Sequence, residues 1–300
     1  MFRWLAWILF AALAAITLPA AADDQPRIAV VSAFDAELQA LLDATDNRES
    51  QVINNVRFTT GTLEGKDVVL FLSGISMTNA AMTTQMALDH FNVTLIVFSG
   101  IAGGVDPALS IGDVVIAGKW SPYLDIFMAR EVNGEHRLPG FFEPTLPSFG
   151  VMYPRGVRVF QDGEHPPERR MWFEIDPALL ETAKDVADQV DLSACGQNAE
   201  CLSQEPEIEV GGNGVSGSAF VDNATFRSYV FDTFEARVLD MESAAVAQVA
   251  HTNETPFIAF RSLSDLAGGG EGENEIATFF GLAADNAATV VRAFLRALPE

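Results

Sequence analysis

Three carboxylates stand where a strand has just run out. The hydrophobic run Phe257 to Leu263 ends on Ser264-Asp265, Val238-Leu239 leads into Asp240-Met241-Glu242, and Glu37 follows the short run Arg27 to Ser32. In parallel α/β sheets ligands collect beyond the carboxyl ends of the strands, so acids placed there face a cleft. Three strand ends delivering acids therefore predict one acid-lined active site.

Small-residue turns accompany them. Phe98-Ser99-Gly100-Ile101-Ala102-Gly103-Gly104 follows a buried run, and its glycines let a flat ligand approach backbone N–H and C=O groups closely. Ser73-Gly74-Ile75-Ser76 leads into a helix, and Val215-Ser216-Gly217-Ser218-Ala219-Phe220-Val221 is a third turn of this kind. Phe220 has the right chemistry to stack on an aromatic base, although one phenylalanine alone is more readily a core residue. The Phe98 to Gly104 turn lacks the G-x-G-x-x-G spacing and a Walker lysine, so it does not imply nucleotide phosphates.

Positioning these residues takes alternating strands and helices. Ile28 to Ser32 is β-branched, and Ala33 to Leu42 then carries Leu38, Leu41 and Leu42 on one helical face. Phe58 to Leu63 and Val68 to Leu72 read as a hairpin turning at Glu64-Gly65-Lys66. Met77 to His90 predicts a helix, Val93 to Phe98 a buried strand and Ile111 to Ala117 another strand. Asp176-Pro177 opens a helix in N-cap and first-turn order, running to about Val190. Strands follow at Glu209 to Ser216 and Ala236 to Asp240, and helices at Glu242 to His251 and Glu275 to Leu298. From Trp120 to Phe173 the chain is rich in Pro, Gly, aromatics and Arg without a clean period. With the polar stretch to Pro206, it reads as an insertion at about 120–206, a lid or subunit contact. No repeat or linker divides residues 23–300, which predicts one domain.

Residues 1–22 have the layout of a secretory signal peptide: Arg3, an apolar run from Trp4 to Leu18, then Ala20-Ala21-Ala22. The run is shorter than the roughly 20 residues of a spanning helix, which favours cleavage over an anchor. The expected location is secreted or periplasmic, with no membrane attachment after cleavage. A formal charge of −23 repels nucleic acid and points to a small neutral or cationic partner. Cys195 and Cys201 are the two cysteines, expected to close a disulfide loop in an oxidising compartment. His90, His136, His165 and His251 have no metal or triad spacing. The Asn-x-Thr matches at Asn92, Asn223 and Asn253 read as chance.

The set Ala33-Phe34-Asp35-Ala36-Glu37, Ser73-Gly74-Ile75, Ser99 to Gly104, Ser216 to Phe220, Asp240-Met241-Glu242 and Arg261-Ser262-Leu263-Ser264-Asp265 resembles the nucleoside phosphorylase superfamily. Within it, the order and spacing are most similar to the 5′-methylthioadenosine/S-adenosylhomocysteine nucleosidases. The resemblance spans nearly all of the chain after the leader except Trp120 to about Pro206. It implies a three-layer αβα fold with a twisted mixed sheet, a homodimer, and no cofactor or metal.

It also implies roles. Asp265 matches the acid that protonates the departing purine, with Ser264 orienting it. Glu37 matches the residue that activates water across the sugar, and Glu242 the carboxylate that holds the ribose hydroxyls. Met241 would pack on the sugar, while Phe220, Val221, Ala102 and Gly103 would frame the purine. Ile75 and Arg261 complete the implied substrate-binding set. Ile101 stands where many such nucleosidases carry a serine.

The implied reaction is hydrolysis of a purine nucleoside or 5′-thioadenosine derivative to free base and sugar. One alternative is a phosphate-dependent phosphorylase drawing on Arg155, Arg158, Arg169 and Arg170 of the insertion. The positions where hexameric phosphorylases keep phosphate-binding arginines hold Phe98 and the Ser32 to Glu37 segment here, neither basic, which favours water. A second alternative is a non-catalytic nucleoside-binding or storage protein, against which Glu37, Glu242 and Asp265 count.

Overall fold

A computed structural model describes residues 23–159, 169–196, 199–270 and 272–299. The leader-like segment expected over residues 1–22 and His165 lie outside them.

The chain enters on β1 (Asp23–Ser32), α1 (Asp35–Asp43), β2 (Asp46–Ile53), β3 (Val56–Leu63), β4 (Lys66–Leu72), α2 (Met77–His90) and β5 (Phe91–Gly104). Next come β6 (Val114–Ile116), β7 (Lys119–Pro122), β8 (Ile126–Met128), β9 (Arg130–Val132), β10 (Glu135–Arg137), β11 (Met152–Pro154), β12 (Val157–Arg158), β13 (Arg169–Arg170) and β14 (Phe173–Glu174). The last part holds α3 (Pro177–Ala187), β15 (Ile208–Val210), β16 (Asn213–Ser216), α4 (Ala224–Phe234), β17 (Ala236–Asp240), α5 (Ser243–Thr252), β18 (Phe257–Asp265) and α6 (Ile276–Ala297).

Twelve strands make one mixed α/β sheet. Its path runs β14-β7-β16-β17-β5-β1-β4-β3-β2, with β18 beside β5 and β6, and β15 beside β6. The parallel neighbours β1, β5 and β18 are buried on both faces, which explains their near-continuous apolar runs. Helix α6 packs on β18 and β5 and touches α1 and α3, while α2 packs on α5. Among the core contacts, Phe58 meets Phe71 and Phe91, and Phe260 on β18 meets Phe294 on α6.

The local chemistry accounts for the boundaries. The hairpin expected at Glu64-Gly65 forms, with both residues at positive φ (51° and 80°), the conformation that a two-residue turn between twisted strands requires. Asp176 caps α3 by accepting from the N–H of Ala178 at 2.8 Å, with Pro177 in the first turn. The strand expected over Glu209 to Ser216 is broken by Gly211 and Gly212 at φ 104° and 73°, which turn the chain between β15 and β16. The one expected over Ile111 to Ala117 shortens to β6 because Gly112 (φ 94°) is still turning.

Two elements carry no periodic signal. Strand β2 is polar and almost wholly exposed, held only by its antiparallel pairing with β3. Helix α4 is rich in aromatic and β-branched residues, and its mark in the sequence is the Asn223 N-cap, which accepts from Phe226 N–H at 2.8 Å. The insertion folds into short ribbons, β8 with β11, β9 with β10 and β12 with β13. Cys195 and Cys201 are joined in a disulfide.

Candidate active site

The ends of β5, β17 and β18 meet over a cavity of about 530 Å³, the size of a small-molecule site. Its walls include Ile75, Ile101, Ala102, Gly103, Phe220, Val221, Met241, Glu242, Ser264 and Asp265. Most of the residues singled out in the sequence therefore share one space. Phe34, Ala219, Leu239, Asp240, Ile276 and Phe280 also line it.

Register explains the convergence. Parallel pairing sets Asp265 against Gly103, and the antiparallel contact of β17 with β5 sets Leu239 against the same glycine. Strand β5 is long enough to serve both neighbours. At its tail, a Cβ on Gly104 would lie 2.9 Å from Leu263 and 3.0 Å from Leu266, so the strands approach this closely only with glycine there.

Asp265 is buried and held at both oxygens. Oδ1 accepts from Ala267 N–H at 2.8 Å and from the Asn274 amide at 3.4 Å, and Oδ2 lies 3.0 Å from the Ser264 hydroxyl. That hydroxyl also has the Ala102 carbonyl in reach at 3.4 Å, so it can turn away when Oδ2 carries a proton. Burial pushes the Asp265 carboxyl up and the charge of Glu275 adds to this, against the hydrogen bonds from Ala267, Ser264 and Asn274.

Glu37 reaches the site from the first turn of α1. It does not itself line the cavity; its side chain sits behind the wall, 1% exposed. Oε1 accepts from Ile101 N–H at 2.8 Å, and Oε2 from Ala33 N–H at 2.7 Å and Phe34 N–H at 3.4 Å. Burial raises its carboxyl to about 7, with the Glu242 charge pushing the same way, while Arg261 and the N–H groups of Ile101 and Ala33 oppose.

Glu242 faces the cavity and accepts from Ser76 N–H at 2.8 Å. Ser76 adopts φ 86°, a strained conformation for a residue with a side chain, and this bond helps hold it there. The Glu242 carboxyl is raised by burial and by the neighbouring Asp240 charge, with Arg261 opposing.

Arg261 departs from expectation. It was expected among the substrate contacts, but it is fully buried and does not line the cavity. Instead it holds the acids together from beneath. Nε donates to the Ser243 hydroxyl at 3.0 Å and lies 2.8 Å from Asp240 Oδ2, Nη2 lies 3.6 Å from Glu242 Oε2, and Nη1 donates to the Ile101 carbonyl at 3.3 Å. Its guanidinium stacks 4.0 Å from the Phe98 ring centre. One buried cation thus serves several carboxylates, and its charge only partly offsets the burial that raises Glu37 and Glu242. Asp240 is further occupied in capping α5, accepting from the N–H groups of Glu242 and Ser243 and from the Ser216 hydroxyl.

The rest of the wall is apolar. Phe34 and Phe280 stack with centres 5.0 Å apart and planes at 15°, and Ile276 lies one turn before Phe280 on α6. The sequence offered no signal for this pair, because 246 positions separate residues that only tertiary packing brings together. Phe220 and Ile75 remain 56% and 51% exposed, so apolar surface stands open at the cavity. Among the described residues no Lys or Arg lines it.

The family model described as the phosphorylase superfamily matches residues 27–296. The chain is 28% identical over 275 residues to 5′-methylthioadenosine/S-adenosylhomocysteine nucleosidase of Mycobacterium bovis, covering 91% of this chain and 96% of that one. It is 30% identical over 245 residues to the protein of the same name from Bacillus licheniformis, covering 81% and 87%. Among solved structures, that nucleosidase from Neisseria meningitidis in complex with methylthio-immucillin-A superposes with a TM-score of 0.68 at 27% identity, covering 91% of this chain and 99% of that one. Futalosine hydrolase of Helicobacter pylori shares the fold with a TM-score of 0.69 at 22% identity, covering 91% and 98%.

Proposed function

The chain belongs to the phosphorylase superfamily, and from that premise we propose that it hydrolyses the N-glycosidic bond of a purine nucleoside or 5′-thioadenosine derivative. The observation that carries this reading is a buried Asp265 in the cavity wall with Glu37 directly behind that wall, bonded to the N–H of its lining residue Ile101.

In this reading Asp265 gives its proton to N7 of the purine as the bond from C1′ to N9 breaks and its electrons pass to the base. The sugar develops oxocarbenium character, which the Glu242 carboxylate offsets while accepting from the ribose hydroxyls. Water attacks C1′ and Glu37 takes its proton, a task suited to a carboxyl near 7. Nucleoside and water become free base and sugar, and the two carboxyls re-equilibrate through solvent. Phe220 and Val221 flank the base, with Gly103 and Ala102 opposite.

The absence of a cation from the described cavity wall supports water over phosphate as the acceptor. Of the insertion arginines, Arg155 is paired with Asp125 at 2.8 Å and Arg169 donates to the Gly156 carbonyl at 2.7 Å. The apolar Phe34, Phe280 and Ile276 wall favours a neutral, apolar 5′ substituent over an anionic one. The Cys195–Cys201 disulfide supports the exported location suggested by residues 1–22. Met128 and Phe141, both exposed on the insertion, support a homodimer that covers them.

The test is base release from adenosine, inosine, guanosine and 5′-methylthioadenosine, each with and without phosphate. Release without phosphate, lost in Asp265→Asn, is expected. A strict phosphate requirement, or undiminished turnover by Asp265→Asn, refutes the assignment.

A further inference from the structure

Asn274 makes contacts that the reaction described above does not use. Its Nδ2 donates to Asp265 Oδ1 at 3.4 Å and to Asp222 Oδ1 at 3.1 Å, while its Oδ1 accepts from Ile276 N–H at 3.0 Å. All three bonds suit an amide. Two carboxylate oxygens require a group with two N–H donors, and the helix terminus requires an acceptor on the same side chain. Aspartate at 274 would put a third acid beside two others. One amide therefore joins the acid at the end of β18, the first turn of α6 that carries Ile276 and Phe280, and Asp222, next to Val221 in the cavity wall.

We propose that Asn274 is a positioning residue for Asp265, holding Oδ1 as the unprotonated oxygen so that the transferable proton resides on Oδ2. This rests on the reading of Asp265 as the general acid. Oδ1 already receives the Ala267 N–H, and the Asn274 amide is its second donor, so a proton on Oδ1 would displace two bonds. Among the described residues Oδ2 has only the Ser264 hydroxyl, which can accept as well as donate. The two N–H groups of the amide serve one carboxylate each, and the shorter bond to Asp222 (3.1 Å) holds the nitrogen back from Asp265 (3.4 Å).

Among the described residues, few charged groups surround Asp265. Glu275 adds negative charge from the same loop, and Asp222 acts through Asn274. Arg227, on the neighbouring α4, directs Nε and Nη2 to the carbonyls of Gly104 and Asp106. Donation from Asn274 stabilises the ionised carboxyl, so removing it makes Asp265 hold its proton to higher pH.

Full-length Asn274→Ala and Asp222→Ala are assayed for base release from 5′-methylthioadenosine and adenosine between about pH 5 and pH 10. Asn274→Ala is expected to lower kcat by about tenfold with KM changed by less than about twofold, and to move the alkaline limb of kcat upward. Asp222→Ala lets the amide close on Asp265 and removes a nearby carboxylate, and is expected to move that limb downward. Unmoved limbs overturn the proposal, as does a lower Tm in Asn274→Ala with the limb in place, which marks a purely structural contact. If Asn274→Ala does not fold, the direction of the Asp222→Ala shift decides. Full activity in Asp265→Asn would instead remove the general-acid reading on which this rests.

Discussion

Arg261 Nε lies 2.8 Å from Asp240 Oδ2, both side chains are almost completely excluded from solvent, and the same guanidinium also reaches Glu242 at 3.6 Å. A buried charge is costly unless paired, and here one cation is shared by acids arriving on β17 and just beyond it. The site is therefore short of positive charge by construction. Burial pushes the Glu37 and Glu242 carboxyls up, and Arg261 opposes that rise.

Replacing that cation should be costly in a pH-dependent way. Arg261→Met leaves Asp240 and Glu242 buried without a partner, an expected loss of about 3–5 kcal/mol. The loss should be smaller at pH 5 than at pH 8, because the already raised Glu37 and Glu242 neutralise themselves by binding protons. Denaturant unfolding at the two pH values checks this, and equal losses would show that the guanidinium does not act through charge.

Gly100 stands between the two halves of the site. A Cβ there would collide with Arg261 Nη1 and lie 2.7 Å from Glu37 Oε1. Gly100→Ala should therefore separate these groups, lower stability by about 1–3 kcal/mol and lower kcat by about a hundredfold or more. Thermal melting and steady-state rates read both effects. A variant with normal rates would mean that the Glu37 position is immaterial to turnover.

Stability should decline as pH rises through the range where Glu37 titrates. Its folded-state carboxyl lies at about 7, above the ordinary 4.5. Between those values the unfolded chain has released the proton and the folded one retains it, so raising the pH favours unfolding. The contribution is fully present below about pH 4.5 and is lost by about pH 7. Raised carboxyls at Glu242 and Asp265 act in the same direction. Calorimetric Tm values across this interval should fall, and a rise would contradict the dominance of burial at these acids.

Glu64 gives the opposite sign. Partial burial by itself would raise its carboxyl, but Arg296 at 2.8 Å and Arg292 at 2.6 Å outweigh that and hold it below the ordinary value. Such a group stabilises above its unfolded value, and the benefit disappears as pH falls through the folded one. Both arginines are about half exposed, so Glu64→Gln should cost only about 1 kcal/mol or less near neutrality. The difference from the parent protein should vanish in acid, as urea unfolding at pH 7 and pH 3 can measure.

The acids were legible because strand ends are local features. An apolar run that stops on a carboxylate announces both the strand and the side of the sheet its last residue meets, as at Leu263-Ser264-Asp265 and Leu239-Asp240. The Asp176-Pro177 helix start and the Glu64-Gly65 hairpin are equally local. Strand β2 escaped because its side chains are solvated on both faces and show no alternation. Helix α4 escaped because its residues favour strands, leaving only its cap as a signal.

From the amino-acid order alone came the alternating strands and helices, the superfamily likeness, and the acids Glu37, Glu242 and Asp265. Those follow from hydrophobic period and from residues adjacent along the chain. Tertiary structure decided that Arg261 lies beneath the cavity, that Phe34 stacks on Phe280, and that Asn274 bridges two acids. It also decided which carboxyls burial pushes upward. Such properties depend on burial and on distances between residues far apart in sequence, and no local pattern encodes them.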